Sequence, residues 1–319
     1  MIALLRAGVA VAVALSAAVT ACAQDYPARP IRIVTSEIGA GGDFAARLVA
    51  QRLTATFGQP AVVDNRSGGV IAGEFVARAA PDGYTLLVYG NTLWLLPLMR
   101  SQVPYDTLRD FAPVTLATRS SIVLVVHPSL PVRSVGELVK LARARPGQLN
   151  YGSAAAGTTS HMGAELFKSV AKLDIVRVSF RGATSALNAL LSGQVQLQFM
   201  SGATAMSTIE SGRVRALAVA SPEPSPVFPG VPTMAAAGLP GVEVSGLMGV
   251  FAPARTPPAI IALLSQEITR GLQRPETKNR LTAIGAEAAG GGPDGLAATM
   301  REEINRLENV IRGSGIRDD

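Results

Sequence analysis

Two short loops hold most of the groups in this chain that could do chemistry. The first is Glu37-Ile38-Gly39-Ala40-Gly41-Gly42-Asp43 and the second is Ser153-Ala154-Ala155-Ala156-Gly157-Thr158-Thr159-Ser160-His161. Glycine and alanine let backbone N–H groups approach a ligand closely, and each loop feeds a helical pattern whose N-terminus carries about half a positive charge. The hydroxyls of Thr158, Thr159 and Ser160 add donors. Two such loops facing one another would clamp a carboxylate. The plainer alternative is a pair of strand-to-helix turns with Asp43 and Thr158 as N-caps.

The remaining candidates are isolated. Tyr89, Gly90 and Trp94 lie at or just beyond the end of an expected strand, where α/β sheets bind ligands, although Trp94 suits a core equally well. Arg181, in Phe180-Arg181-Gly182, could pair with a carboxylate or be a solvated loop arginine. His161 and Glu165 are one helical turn apart, as two metal ligands would be, but no third ligand accompanies them. His161 is therefore expected to anchor its loop or touch the ligand. Ser169-Val170-Ala171-Lys172 matches S-x-x-K without the S-D-N and K-T-G elements that make it chemical. No phosphate-binding G-x-x-x-x-G-K-[ST] and no G-x-S-x-G elbow occur, and Phe44 stands where G-x-G-x-x-G needs its third glycine. No catalytic residue, metal or cofactor is expected.

Hydrophobic periodicity outlines the elements that must position these loops. Strands are predicted over 31–34, 61–64 and 85–89, with helices over 43–57 and 71–80, the second stopped by Pro81-Asp82-Gly83. This βαβαβ order argues a mainly parallel sheet with helices on its faces. A strand over 122–126 ends at His127-Pro128. Ser134-Val135-Gly136-Glu137 is a capping box opening a helix that ends near Arg145. Next come a strand over 149–151, a helix with Met162, Leu166 and Val170 on one face, a strand over 175–180 and a helix from Gly182 to Gly193. Strands follow over 195–200, 214–220 and 248–252. The last 60 or so residues read as helical: 258–272, a short piece near Leu281, and 296–311. The pattern is two α/β units and a helical tail.

Composition narrows the function classes. The chain has 319 residues, 48% hydrophobic and 16% charged, against about 25% charged in an average domain, so it can bury a core and is not disordered. One cysteine and two histidines, His127 and His161, exclude an intramolecular disulfide and a multi-cysteine or His-rich metal site. The net charge of +6 comes from scattered arginines with no aromatic interleaving. That excludes nucleic acid and is compatible with small anions. Arg6 followed by an apolar run over 7–21 has the form of a secretory signal, so residues 1–23 are expected to direct export to the periplasm. Two processing readings compete: Ala21-Cys22-Ala23 as a signal-peptidase site that discards Cys22, and Val19-Thr20-Ala21-Cys22 as a lipobox that retains it as an acylated N-terminus.

An ordered set of stretches resembles the Bug family, the solute-binding receptors of tripartite tricarboxylate transporters. The stretches are Tyr26-Pro27-Ala28-Arg29-Pro30, Asn65-Arg66-Ser67-Gly68-Gly69, Pro81-Asp82-Gly83-Tyr84, Asp110-Phe111-Ala112-Pro113-Val114 and His127-Pro128-Ser129-Leu130-Pro131. They continue with Gly157-Thr158-Thr159-Ser160-His161, Gly212-Arg213-Val214-Arg215-Ala216 and Ala237-Gly238-Leu239-Pro240-Gly241. The resemblance implies a type II periplasmic-binding-protein fold: two α/β lobes joined by crossover strands, with a ligand cleft between them. Its implied organisation is a signal over 1–23, lobe 1 over 25–122, lobe 2 over 123–245, and a return crossover with helices packing on lobe 1 over 246–319. Crossovers are expected around 122–127 and 244–252.

The implied function is a monomeric receptor, not an enzyme, that captures a small organic acid or amino-acid-like ligand by hinge closure. It would deliver that ligand to membrane transporter subunits or present it to a sensor kinase; an exported enzyme using His161 is the remote alternative. The implied ligand-binding residues are Glu37, Ile38, Gly39, Ala40, Gly41, Asp43, Tyr89, Gly90, Ser153, Ala155, Gly157, Thr158, Thr159, His161, Arg181 and Gly182. Three departures from the family pattern bear on the ligand. The first loop, Thr35-Ser36-Glu37-Ile38-Gly39-Ala40-Gly41-Gly42-Asp43, lacks the aromatic that many members carry at the ligand, and Glu37 puts an acid near the cleft that would repel a second carboxylate or pair with a cation. Ala155 replaces a frequent glycine, and Leu247 a frequent tryptophan.

Overall fold

A computed structural model describes residues 26–38, 41–66 and 70–313. The expectations placed on residues 1–23, on Gly39 and Ala40, and on the turn at 67–69 lie outside the described residues. The chain opens with β1 (Ile31–Thr35), α1 (Gly41–Phe57), β2 (Ala61–Asn65), α2 (Ile71–Ala77) and β3 (Thr85–Gly90). The three strands pair in parallel in the order β2-β1-β3. Helix α1 starts two residues before its predicted start and buries Ala45, Ala46, Val49 and Leu53 against Ile31 and Ile33. A short helix, α3 (Thr92–Leu95), follows β3 and was not anticipated.

Helix α4 (Thr107–Asp110), capped by the Asp106 carboxylate, leads into β4 (Phe111–Val126). The strand predicted over 122–126 is only the end of this 16-residue strand. Its first part carries Pro113, Thr115, Thr118, Arg119 and two serines, which conceal it from an apolar-run search. Register shifts at Pro113/Thr115 and Leu116/Thr118 mark irregularities in that half, where a proline is tolerated.

The second unit comprises α5 (Val135–Ala144), β5 (Asn150–Ser153), α6 (Thr159–Ala171), β6 (Val176–Ser179), α7 (Ala183–Leu191), β7 (Leu197–Ser201), α8 (Gly202–Glu210) and β8 (Arg215–Val219). The capping box forms with a shifted second half: Glu137 N–H donates to Ser134 Oγ at 3.2 Å, while Glu137 Oε2 accepts from the N–H of Arg133 rather than of Ser134. Met162 and Leu166 are buried as expected but Val170 is exposed. The arc around Gly163, Phe167 and Ala171 is buried as well, because Gly163 leaves room for Phe199, which packs on Phe167 at 6.0 Å between ring centroids.

Strand β9 (Ser245–Pro253) returns antiparallel between β3 and β4. The tail is not wholly helical as read. After α9 (Pro258–Leu272) and α10 (Pro275–Thr282), β10 (Ala286–Gly290) pairs antiparallel with β4 before α11 (Gly292–Gly313). Ala-Glu-Ala-Ala is helix-prone, and the tertiary pairing overrides that local preference. The Arg52 guanidinium on α1 grips Glu267 on α9, with Nη2 2.5 Å from Oε2 and Nε 3.1 Å from the backbone oxygen, and so ties the tail to the first unit.

Candidate ligand cleft

Strand directions fix where the loops meet. Both β3 and β4 run antiparallel to β9, so β4 leaves the first unit at the carboxyl end of β1 and β3. In the second unit β4 is antiparallel to β7, with Ile122 opposite Ser201 and Val126 opposite Leu197, so it enters at the carboxyl end of β7 and its parallel neighbour β5. The change of partner falls at Ser121/Ile122, the start of the expected crossover. The carboxyl ends of both parallel sets therefore face each other across the crossing strands, and every loop emerging there opens into one cleft.

The second-lobe loop is built around one guanidinium and one histidine. Arg177 on β6 donates from Nε to Ser153 Oγ at 2.9 Å and from Nη2 to the Ala154 carbonyl at 3.2 Å. Ser160 Oγ accepts from Ala154 N–H at 3.2 Å, and Thr158 Oγ1 donates to the Ala155 carbonyl at 2.7 Å. Gly157 sits at φ +75°, the left-handed region that favours glycine. Its N–H points at His161 Nδ1, 3.3 Å away. An acceptor Nδ1 means a neutral ring, and burial, reinforced by the Arg177 charge, pulls the His161 pKa down to about 4. The first intrahelical bond of α6 is Met162 N–H to Thr158 carbonyl, 2.9 Å. The first-turn amides of Thr159, Ser160 and His161 precede it and are the orphan donors of that helix end.

Glu165 is not available to His161 as a partner for chemistry. It is buried, accepts from Tyr151 OH at 2.5 Å, and takes Lys168 Nζ at 2.8 Å.

The first-lobe loop is held from below. Asp43 is buried in the first turn of α1; Asn65 Nδ2 donates to its Oδ1 at 3.0 Å, and Arg47 pairs with it at 3.1 Å. Asn65 Nδ2 also reaches the Ser36 carbonyl, so one side chain fixes the loop to β2. Asp43 is thus tied to β2 through Asn65. Gly41 and Gly90 both leave room for the Met248 methyl of the crossover strand β9. Glu37 and Ile38 are exposed. The Glu37 carboxylate crosses to the second lobe, where a Cβ placed on Gly182 would lie 3.3 Å from Oε2. Burial, and secondarily the charge of Glu37, push the Tyr89 hydroxyl up to about 12. Arg181 is exposed beside Gly182, and Ala155 is exposed in the second loop.

Thr92 on α3 makes another contact between lobes, donating to the Gly157 carbonyl at 3.5 Å. Behind it the Glu303 carboxylate, buried on α11, accepts from Asn91 Nδ2 at 2.5 Å and Trp94 Nε1 at 2.9 Å. Asn91 Oδ1 in turn accepts from the Leu247 N–H of β9 at 2.8 Å. Trp94 is therefore core, packed 6.3 Å from Phe251 between ring centroids, and does not line the cleft. The structure brings Glu37 of the first lobe against Gly182 of the second, and gathers Gly157, Thr158, Thr159 and His161 in one second-lobe turn. Arg177, Thr92 and Glu303 carry no motif; only their tertiary placement identifies them.

Among the described residues no group of three His, Cys, Asp or Glu side chains could hold a metal ion, and no helix is long and apolar enough to cross a membrane. Two α/β lobes joined by crossing strands, with loops from both lining the cleft between them, define a solute-binding receptor of the type II class. Residues 45–316 match the family described as the tripartite tricarboxylate transporter family receptor. BugT of Bordetella pertussis is 37% identical over 299 residues, 92% of this chain and 91% of its own. Rpa4515 of R. palustris, solved with adipate, superposes at TM-score 0.86 with 35% identity over 92% of this chain and 99% of that one. MatC from Rhodopseudomonas palustris, with bound malate, gives 0.82 with 33% identity over 90% and 100% of the two chains.

The chain belongs to the tripartite tricarboxylate transporter receptor family. The family and its structural neighbours are periplasmic substrate-binding receptors, not enzymes.

Proposed function

We propose that this chain is exported and captures a small carboxylate between its lobes by hinge closure, for delivery to the membrane subunits of a tripartite tricarboxylate-type transporter. The observation that carries this reading is the first turn of α6, where the amides of Thr159 to His161 precede the first intrahelical bond, at the end of the loop that the Arg177 guanidinium holds. Hydrogen bonds from such donors to a charged acceptor are worth about 1.5–3 kcal/mol each. The adipate and malate held by the two solved relatives are the same chemistry. In this reading the lobes divide near residue 122, and the return strand and tail travel with the first lobe. Residues 1–23 direct export, and intact mass of the mature protein reports whether Cys22 is removed or acylated.

Closure follows because a ligand touching both loops binds the closed form better than the open one. The test is thermal denaturation against a panel of carboxylates and amino acids. A bound carboxylate raises Tm without being consumed; ligand at 100 times Kd stabilises by about 2.7 kcal/mol. Thr158→Ala, which loosens the loop at Ala155, weakens that shift. A panel without any shift, or a ligand that is turned over, defeats the proposal.

A further inference from the structure

Glu37 is an exposed carboxylate with no hydrogen-bonding or ion-pair partner among the described residues. It lies against Gly182, the N-cap of the nine-residue helix α7 on the opposite lobe. Gly182 has φ −170°, extended backbone that any residue adopts, so its conformation does not call for glycine. The missing Cβ instead leaves room for the Glu37 oxygen, 3.3 Å from where that Cβ would stand. Arg181, beside Gly182 in the chain and itself exposed, makes no ion pair with it. The protein thus supplies its own anion at a helix end that would otherwise favour one from the ligand. On the first-lobe side, the Glu37 charge acts on the buried Tyr89 hydroxyl.

We infer that Glu37 makes the cleft select a carboxylate whose far end is cationic, an amino-acid-like zwitterion, over a dicarboxylate. This rests on the carboxylate-receptor reading: the ligand's carboxylate takes the α6 end of the cleft, and its other end meets Glu37. A second carboxylate there faces a like charge, whereas an ammonium group gains a partner. The relatives solved with adipate and malate hold acids of the disfavoured class, so this chain is expected to differ from them.

Calorimetric titration with two length-matched sets tests the inference: adipate, hexanoate and 6-aminohexanoate; and succinate, butanoate and 4-aminobutanoate. Wild type is expected to bind the amino acid of at least one set at least tenfold more tightly than the dicarboxylate of equal length. Glu37→Gln is expected to narrow that ratio at least tenfold, by weakening the amino acid and strengthening the dicarboxylate. Wild-type preference for the dicarboxylates, or a Glu37→Gln effect equal for every ligand, overturns the inference and leaves the carboxylate receptor standing. If no member of either set binds wild type or the variants, the receptor reading falls and this inference with it.

Discussion

At His161 a buried ring serves as a hydrogen-bond acceptor, and that role has a measurable pH signature. Its folded-state pKa is about 4 against an ordinary value of 6.5, so the unfolded chain takes up the proton first as pH falls. The stability this ring confers is retained above pH 6.5 and lost between about pH 6.5 and pH 4. His161→Asn keeps an acceptor toward the Gly157 N–H but lacks the titration. Urea denaturation at stepped pH should show the stability difference between wild type and variant moving against wild type by about 3 kcal/mol over that range; a flat difference would mean that the ring is not held neutral. Gly157 makes a second residue-level prediction. At φ +75°, Gly157→Ala should cost more than about 1 kcal/mol in chemical denaturation, and its methyl would sit 3.6 Å from the Thr92 methyl of the opposite lobe.

At the scale of elements, α11 acts on the cleft through one carboxylate. Burial raises the Glu303 pKa, against hydrogen bonds from Trp94 and Asn91 that lower it. Glu303→Ala leaves two buried N–H donors unpaired and should destabilise by about 2–5 kcal/mol. Glu303→Gln retains an acceptor and should cost less than half as much. Because Asn91 also holds Leu247 on β9, the alanine variant should weaken ligand binding in calorimetry as well; equal losses in the two variants would remove the hydrogen bonds as the cause. Legibility in the sequence follows the same division. Elements with apolar periodicity, such as β1, β3 and α9, show themselves directly, and small-residue runs expose both ligand loops. The first half of β4 is hidden by Pro113 and a polar run, and β10 by residues that prefer helix. Arg177 and Glu303 sit in ordinary local sequence, and only long-range packing makes them parts of the site. Asp43 and His161 add a feature that the sequence does not show: both are buried, one held by Asn65 and Arg47 and the other accepting from the Gly157 N–H.

For the whole molecule, the two crossing strands β4 and β9 carry the continuous backbone between lobes, and Thr92 to Gly157 and Glu37 to Gly182 are contacts between the lobes. The proposed hinge would break these side-chain contacts on opening while the strand pairing persists. Small-angle scattering should show a smaller radius of gyration at saturating ligand than without it; identical curves would argue against closure. The central claim is that one carboxylate ligand is gripped by loops from both lobes. Hydrogen exchange of the full chain, with and without the tightest binder from the carboxylate panel, tests it most directly. The account predicts slowed exchange in both segments, 36–43 and 154–161, on the same ligand. Protection confined to one lobe, or absent from both despite binding, would contradict it.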